Sequence, residues 1–106
     1  MIAKIPPPYY AVIFTSVRTD NDQGYAQTAG HMMTLAADQP GYIDFESVRE
    51  GEMGISISYW KDLDSIKNWK NMADHLTAQK LGREKWYKSY TTRIAKVERE
   101  YSFERT

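Results

Sequence analysis

The sequence predicts an α+β domain: one four-stranded antiparallel sheet in the element order βαββαβ, with both helices on one face. Three observations carry this. Runs of β-favouring residues at 9–17, 42–50, 53–60 and 90–103 read as strands. Segments at 25–37 and from about 63 onward repeat apolar residues at intervals of three and four, as helices do. The chain has 106 residues, which fits one domain that buries roughly two-thirds of its unfolded surface.

Each element has its own signal. Pro6, Pro7 and Pro8 impose an extended lead-in over 1–8 and cannot donate to a sheet ladder, so the ordered domain is expected over 9–103. The stretch YYAVIFTSV is apolar on both faces, as a central strand requires. RTDNDQG is turn chemistry, with Asp20 or Asp22 expected to cap the helix that follows. That helix carries apolar residues at 25, 29, 32, 33, 35 and 36 and stops before Gln39-Pro40-Gly41. YIDFESVRE and MGISISYW, joined by Gly51 and Glu52, read as a β-hairpin. Its second strand sends Ile55, Ile57 and Tyr59 to one side and Ser56, Ser58 and Trp60 to the other. Asp62 or Asp64 caps the next helix, whose stripe is Leu63, Ile66, Trp69, Ala73 and Leu76, and Gly82 interrupts or ends it. Ile94, Val97 and Tyr101 then suit a bent or bulged last strand. Two interlocked split βαβ units of this kind make the ferredoxin-like arrangement.

The totals exclude several functions. Lys+Arg and Asp+Glu balance at 14 each, so nothing favours nucleic acid or an anionic membrane as partner. Cysteine is absent, which removes disulfides, thiolate catalysis and thiolate metal sites and fits a cytoplasmic protein. No segment has the apolar length of a signal peptide or a membrane span. The chain is rich in aromatics, with 3 Trp, 8 Tyr and 3 Phe, which suggests a wide apolar pocket, a buried subunit interface, or both. Residues 10–14 place apolar side chains on both faces of a sheet that the helices cover once, so a homodimer joined sheet to sheet is expected.

YAVIFTSVR, QPGYIDFESVR, ISISYWKDLDSIKNWK and the late H-x3-Q-x2-G-R-x2-W-Y stand in an order that resembles the antibiotic biosynthesis monooxygenase superfamily of dimeric α/β barrels. The resemblance runs from Tyr10 to about Tyr101. Members with known activity include cofactor-independent monooxygenases of polyketide-like anthrones, quinol monooxygenases and haem-degrading enzymes. It implies a pocket in each subunit between helices and sheet. The haem-degrading branch pairs a first-strand asparagine with a helix tryptophan and a later histidine. Here the matching strand positions hold Phe14, Thr15 and Ser16, so haem chemistry fits poorly.

Within that resemblance His75 is the candidate base or proton shuttle, because histidine changes charge near neutral pH. Trp69 and His75 are six residues apart, which on one unbroken helix turns them about 120° away from each other. They share a pocket only if the helix breaks near Lys70 and Asn71; otherwise His75 lies with Asn68, Met72 and Gln79 and bonds backbone or water. Trp69 and Arg83 complete the expected catalytic set, with Arg83 or Arg93 anchoring an anionic oxygen. Trp60, Tyr59, Met72, Trp86, Tyr87 and Tyr90 are candidates for substrate contact. Trp60 faces either the pocket or the dimer side, and each tryptophan could equally be core. Ser58 lacks a histidine–carboxylate relay, and His31 and His75 are too far apart in sequence to pair on a metal. No cofactor is implied, since an electron-rich phenolate or carbanion can itself reduce dioxygen. The alternative is a non-enzymatic dimer that binds a small aromatic or hydrophobic molecule, and a third possibility is a structural partner with a filled interior.

Overall fold

The computed structural model describes residues 5–105. Strand β1 (Tyr9–Arg18) is followed by helix α1 (Tyr25–Ala37), strands β2 (Tyr42–Glu50) and β3 (Met53–Trp60), helices α2 (Leu63–Lys70) and α3 (Ala73–Leu81), a π-helical turn (Gly82–Trp86) and strand β4 (Tyr87–Val97). All pairings are antiparallel and the strand order is β2-β3-β1-β4, so the chain folds as the ferredoxin-like sheet.

The register assigns the faces. Tyr10, Val12, Phe14 and Ser16 of β1 share the helix side with Trp60, Ser58, Ser56 and Gly54 of β3. Beneath the helices, Ala36, Trp60, Ile66 and Trp69 form the core, with Met32, Leu35, Tyr42 and Met72 packed around it. The opposite face carries Ala11, Ile13 and Thr15 beside Tyr59, Ile57 and Ile55. Among the described residues no helix or strand covers that face, and Val48 is 71 % exposed, Met53 51 % and Ile55 37 %.

Several expectations need correction. Neither Asp20 nor Asp22 caps α1 through its side chain. Gly24 occupies the cap at φ 78°, a left-handed conformation that suits glycine, and the Asp22 carbonyl accepts from Tyr25 N–H at 3.0 Å. The helix expected from Leu63 is two helices, so a third helix exists after all. Asn71 closes α2 and Met72 is extended at φ −67° and ψ 138°. The apolar stripe therefore does not continue: Leu63 and Leu76 are about half exposed, while the side chain of Ala73 lies outside the described residues. The last strand runs over Tyr87–Val97 rather than 90–103, with a bulge opposite Val17 and Arg18. Residues 98–105 form no strand, and Tyr101 and Phe103 are exposed. The expected lead-in at 1–8 lies outside the described residues as far as residue 4. Among the described residues no helix is long and apolar enough to cross a membrane.

Candidate functional site

The corner between α2 and α3 brings Trp69 and His75 together. Asp62 starts α2, its Oδ1 accepting from Ser65 N–H at 2.8 Å and Ser65 Oγ at 2.7 Å. Because the helix stops at Asn71, the Trp69 carbonyl has no donor four residues on. It accepts instead from Met72 N–H at 3.2 Å and lies 3.1 Å from His75 Nδ1. A carbonyl can only accept, so Nδ1 carries the hydrogen and Nε2 keeps its lone pair.

The His75 ring stacks on Trp69 with centroids 4.7 Å apart, and Trp69 stacks on Trp60 at 6.1 Å. Tyr42 meets Trp60 edge-on at 5.7 Å, and Trp60 Nε1 donates to Ser58 Oγ at 2.8 Å. Burial is the main force that pushes the His75 pKa below the ordinary histidine value; the bond to the Trp69 carbonyl opposes it, and the Lys70 charge adds to it. The imidazole is therefore neutral at pH 7.

A second aromatic group lies toward the other end of the sheet, also on the helix side. Phe14 contacts Tyr90 at 5.1 Å and Tyr87 at 5.4 Å. Tyr25 meets Trp86 at 5.4 Å and Tyr87 at 6.2 Å. The π-helical turn holds this group in place. Trp86 Nε1 donates to the Gln23 carbonyl at 3.0 Å, Arg83 Nη1 lies 3.4 Å from Tyr90 Oη, and the Tyr87 ring packs against Gly82 so closely that a Cβ there would stand 2.9 Å from it. Burial, then the bond to Tyr25, raises the Tyr87 pKa, and the charges of Arg18 and Arg49 work against that rise.

The candidate residues thus fall into three places. His75, Trp69, Trp60 and Met72 gather at the α2–α3 corner; Arg83, Trp86, Tyr87 and Tyr90 gather at the π-helical turn. Tyr59 is on the other face of the sheet, where it donates to Glu46 at 2.6 Å and meets Tyr9 edge-on at 5.9 Å, so it has no place in a helix-side pocket. Under α1 and α2 the helix side of the sheet is packed by the core cluster of Ala36, Trp60, Ile66 and Trp69. Concave space opens instead between α1 and α3, as a cleft of about 440 Å³ lined by Gln27, His31, Met32, Asp74, Ala78 and Leu81. Met32 belongs to both this cleft and the Trp60–Trp69 packing, so the two share a wall. His31 Nε2 lies 3.4 Å from Asp74 Oδ2 across the cleft. Sequence reasoning missed Arg18, Tyr25 and Phe14. The available signal was Arg18, a charge closing an otherwise apolar strand. Among the described residues no three potential ligands gather to hold a metal.

Sheet order and helix placement together define a small ferredoxin-like α+β domain. Residues 8–81 match the family model for antibiotic biosynthesis monooxygenase, and the chain belongs to that family. It is 50 % identical over 105 residues to the uncharacterized protein YqjZ of Bacillus subtilis, covering 97 % of this chain and 92 % of that one. It is 28 % identical over 92 residues to the jasmonate monooxygenase ABM of Pyricularia oryzae, covering 83 % of this chain but only 43 % of that protein. Among solved structures, SnoaB, a cofactor-independent oxygenase from Streptomyces nogalater, superposes with a TM-score of 0.71 at 13 % identity, covering 91 % of this chain and 97 % of SnoaB. At that identity the likeness concerns the fold.

Proposed function

We propose that this chain is a monooxygenase that oxidises a small aromatic or polyketide-like molecule with dioxygen and needs no cofactor, with His75 as its base. The observation that carries the proposal is the fixed tautomer of His75. Its Nδ1–H is committed to the Trp69 carbonyl, so the lone pair that can take a proton is on Nε2, for which no hydrogen-bond partner stands among the described residues. Family membership and the names of the jasmonate monooxygenase and SnoaB support the reaction class.

Triplet dioxygen reacts slowly with closed-shell molecules until one of them gives up an electron. A phenol or anthrone deprotonated by Nε2 becomes an anion rich enough to do so, and apolar surroundings with oriented donors stabilise it. For an anthrone, the ring CH2 loses two hydrogens and gains a carbonyl oxygen, while the second atom of dioxygen leaves as water. Trp69, stacked between Trp60 and His75, fixes the plane of the imidazole that acts as base. The bare sheet face with Val48, Met53 and Ile55 is proposed to pair with a second copy in a homodimer, with the cytoplasm as the working compartment.

The test is oxygen uptake by the purified protein with a panel of anthrones and quinols. A rate above buffer is expected, lost in His75→Ala. Because burial lowers the His75 pKa, the rate is expected to hold above about pH 6.5 and to fall only below it, as Nε2 becomes protonated. Saturable binding without oxygen uptake would favour the non-enzymatic binder instead. A rate untouched by His75→Ala removes His75 from the chemistry.

A further inference from the structure

The helix side of the sheet carries two arginines that make no ion pair among the described residues. Arg18 ends β1 and Arg49 lies on β2, and both are tied to one atom of the β2–β3 hairpin. Arg18 backbone N–H donates to the Glu52 carbonyl at 2.8 Å, and Arg49 Nη1 donates to the same oxygen at 2.9 Å. Arg49 extends across Gly54, where a Cβ would stand 2.5 Å from Nη2, so the absent side chain makes room for the guanidinium. The Arg18 guanidinium lies 3.6 Å above the centre of the Tyr25 ring, and its Nε is sealed from solvent without a hydrogen-bond partner.

That arrangement is costly unless something answers it. The Arg18 Nε–H, withdrawn from water, needs an acceptor, whereas the exposed Arg49 keeps its guanidinium open to solvent and to a ligand. Among the described residues neither arginine makes an ion pair, and the Glu52 carboxylate is held by Lys88 Nζ at 3.0 Å. Asp20 and Asp22, in the loop after β1, make no ion pair with Arg18 either. The Tyr25 ring under the Arg18 guanidinium meets Trp86 and Tyr87 edge-on, and the charges of both arginines act on Tyr87 against the effect of its burial.

We propose that Arg18 and Arg49 form a binding site for an organic carboxylate carried on a flat apolar body. A guanidinium fork matches the two oxygens of a carboxylate, and the aromatic group beside it suits a planar ligand. The site is independent of the oxygenase reading, because it is defined by binding and not by turnover.

Calorimetric titration of the full chain with 2-naphthoate and with neutral 2-naphthamide tests it. Naphthoate is expected to bind about tenfold or more tightly than the amide, the usual worth of bonds to a charged group. Arg18→Gln and Arg49→Gln are each expected to weaken naphthoate severalfold, whereas Arg93→Gln, opposite Ile13 on the other sheet face, leaves it unchanged. Circular dichroism checks each variant, and Arg49, being exposed, gives a usable variant even if Arg18→Gln misfolds. Equal affinity for acid and amide, an equal loss in Arg93→Gln, or no loss in folded Arg49→Gln overturns the site. Inorganic phosphate that competes as well as naphthoate overturns the carboxylate assignment.

Discussion

Gly41 and Gly51 share a backbone state and differ in their surroundings, which separates two physical effects at the scale of one residue. Both have positive φ, 87° and 60°, where a side chain is disfavoured. At Gly51, in the hairpin turn, a Cβ would meet nothing within 4 Å. At Gly41 it would stand 2.0 Å from Ser65 Oγ and 2.6 Å from Ser65 Cβ. Gly41 also accepts from Lys61 N–H at 2.7 Å, so the start of β2, the end of β3 and the first turn of α2 meet at this point. Gly51→Ala is expected to lose about 1–2 kcal/mol, the left-handed penalty alone. Gly41→Ala is expected to lose at least about 3 kcal/mol, because backbone and helix must also part. Urea midpoints compare them, and equal losses would mean that the contact with Ser65 contributes nothing. The sequence marks Gly41 as a turn residue after proline, but nothing in it reveals that Ser65 lies against it.

At the scale of elements, the break between α2 and α3 makes the difference between a half-exposed histidine and one stacked on tryptophan. No glycine or proline marks it, and Leu63, Ile66, Trp69 and Leu76 keep helical spacing straight through it. Periodicity could therefore state the condition for Trp69 and His75 to meet, but not that it is fulfilled. Elements bounded by strong punctuation were legible to the residue: α1, which stops before Gln39-Pro40-Gly41, and the hairpin around Gly51 and Glu52. The start of β4 was not, because the π-helical turn hides it inside REKWYKS, which has no breaker after Gly82. Arg18 and Tyr25 escaped notice for a similar reason, since a charge at a strand end reads as a terminator.

His75 holds the break in place by bonding the carbonyl that α2 leaves open. His75→Ala is expected to lose about 1–2 kcal/mol, the scale of one partly buried hydrogen bond and a ring contact, and amide exchange should rise in α3 while β1 and β3 stay protected. The pH dependence has a definite sign. The folded-state pKa lies below the ordinary value of about 6.5, so the unfolded chain binds the proton more readily. The contribution is full above about pH 6.5 and is lost as pH falls through the lowered folded value. In His75→Ala that acid-side loss should shrink. An unchanged acid profile would show that the burial of His75 does not govern it.

For the whole molecule, the question is what covers the second face of the sheet. Ala11, Ile13, Ile55 and Ile57 lie on it, the tail beyond Val97 carries exposed Tyr101 and Phe103, and an open cleft of about 330 Å³ lies beside Tyr9, Tyr59, Val97 and Glu100. Two tyrosines on this face each donate to a carboxylate, Tyr9 to Glu100 and Tyr59 to Glu46. A second copy laid sheet to sheet would cover such a surface, and a stable pairing of this kind buries roughly 1,600 Å². Sedimentation is therefore expected to give a dimer at micromolar concentration, and Val48→Lys combined with Ile55→Lys should give a monomer, since each lysine would carry a charge into the centre of the contact. Alkali offers an independent approach. Burial, with the bond to Glu100 and the nearby carboxylate charges, raises the Tyr9 pKa from 10.0 to about 12. Between about pH 10 and pH 12 the folded chain thus holds a proton that the unfolded chain releases. The stability linked to Tyr9 is present in full below about pH 10 and disappears as pH climbs toward 12, where a phenolate would stand against a carboxylate. Tyr9→Phe should flatten that loss, and a chain that sediments as a folded monomer at neutral pH removes the pairing altogether.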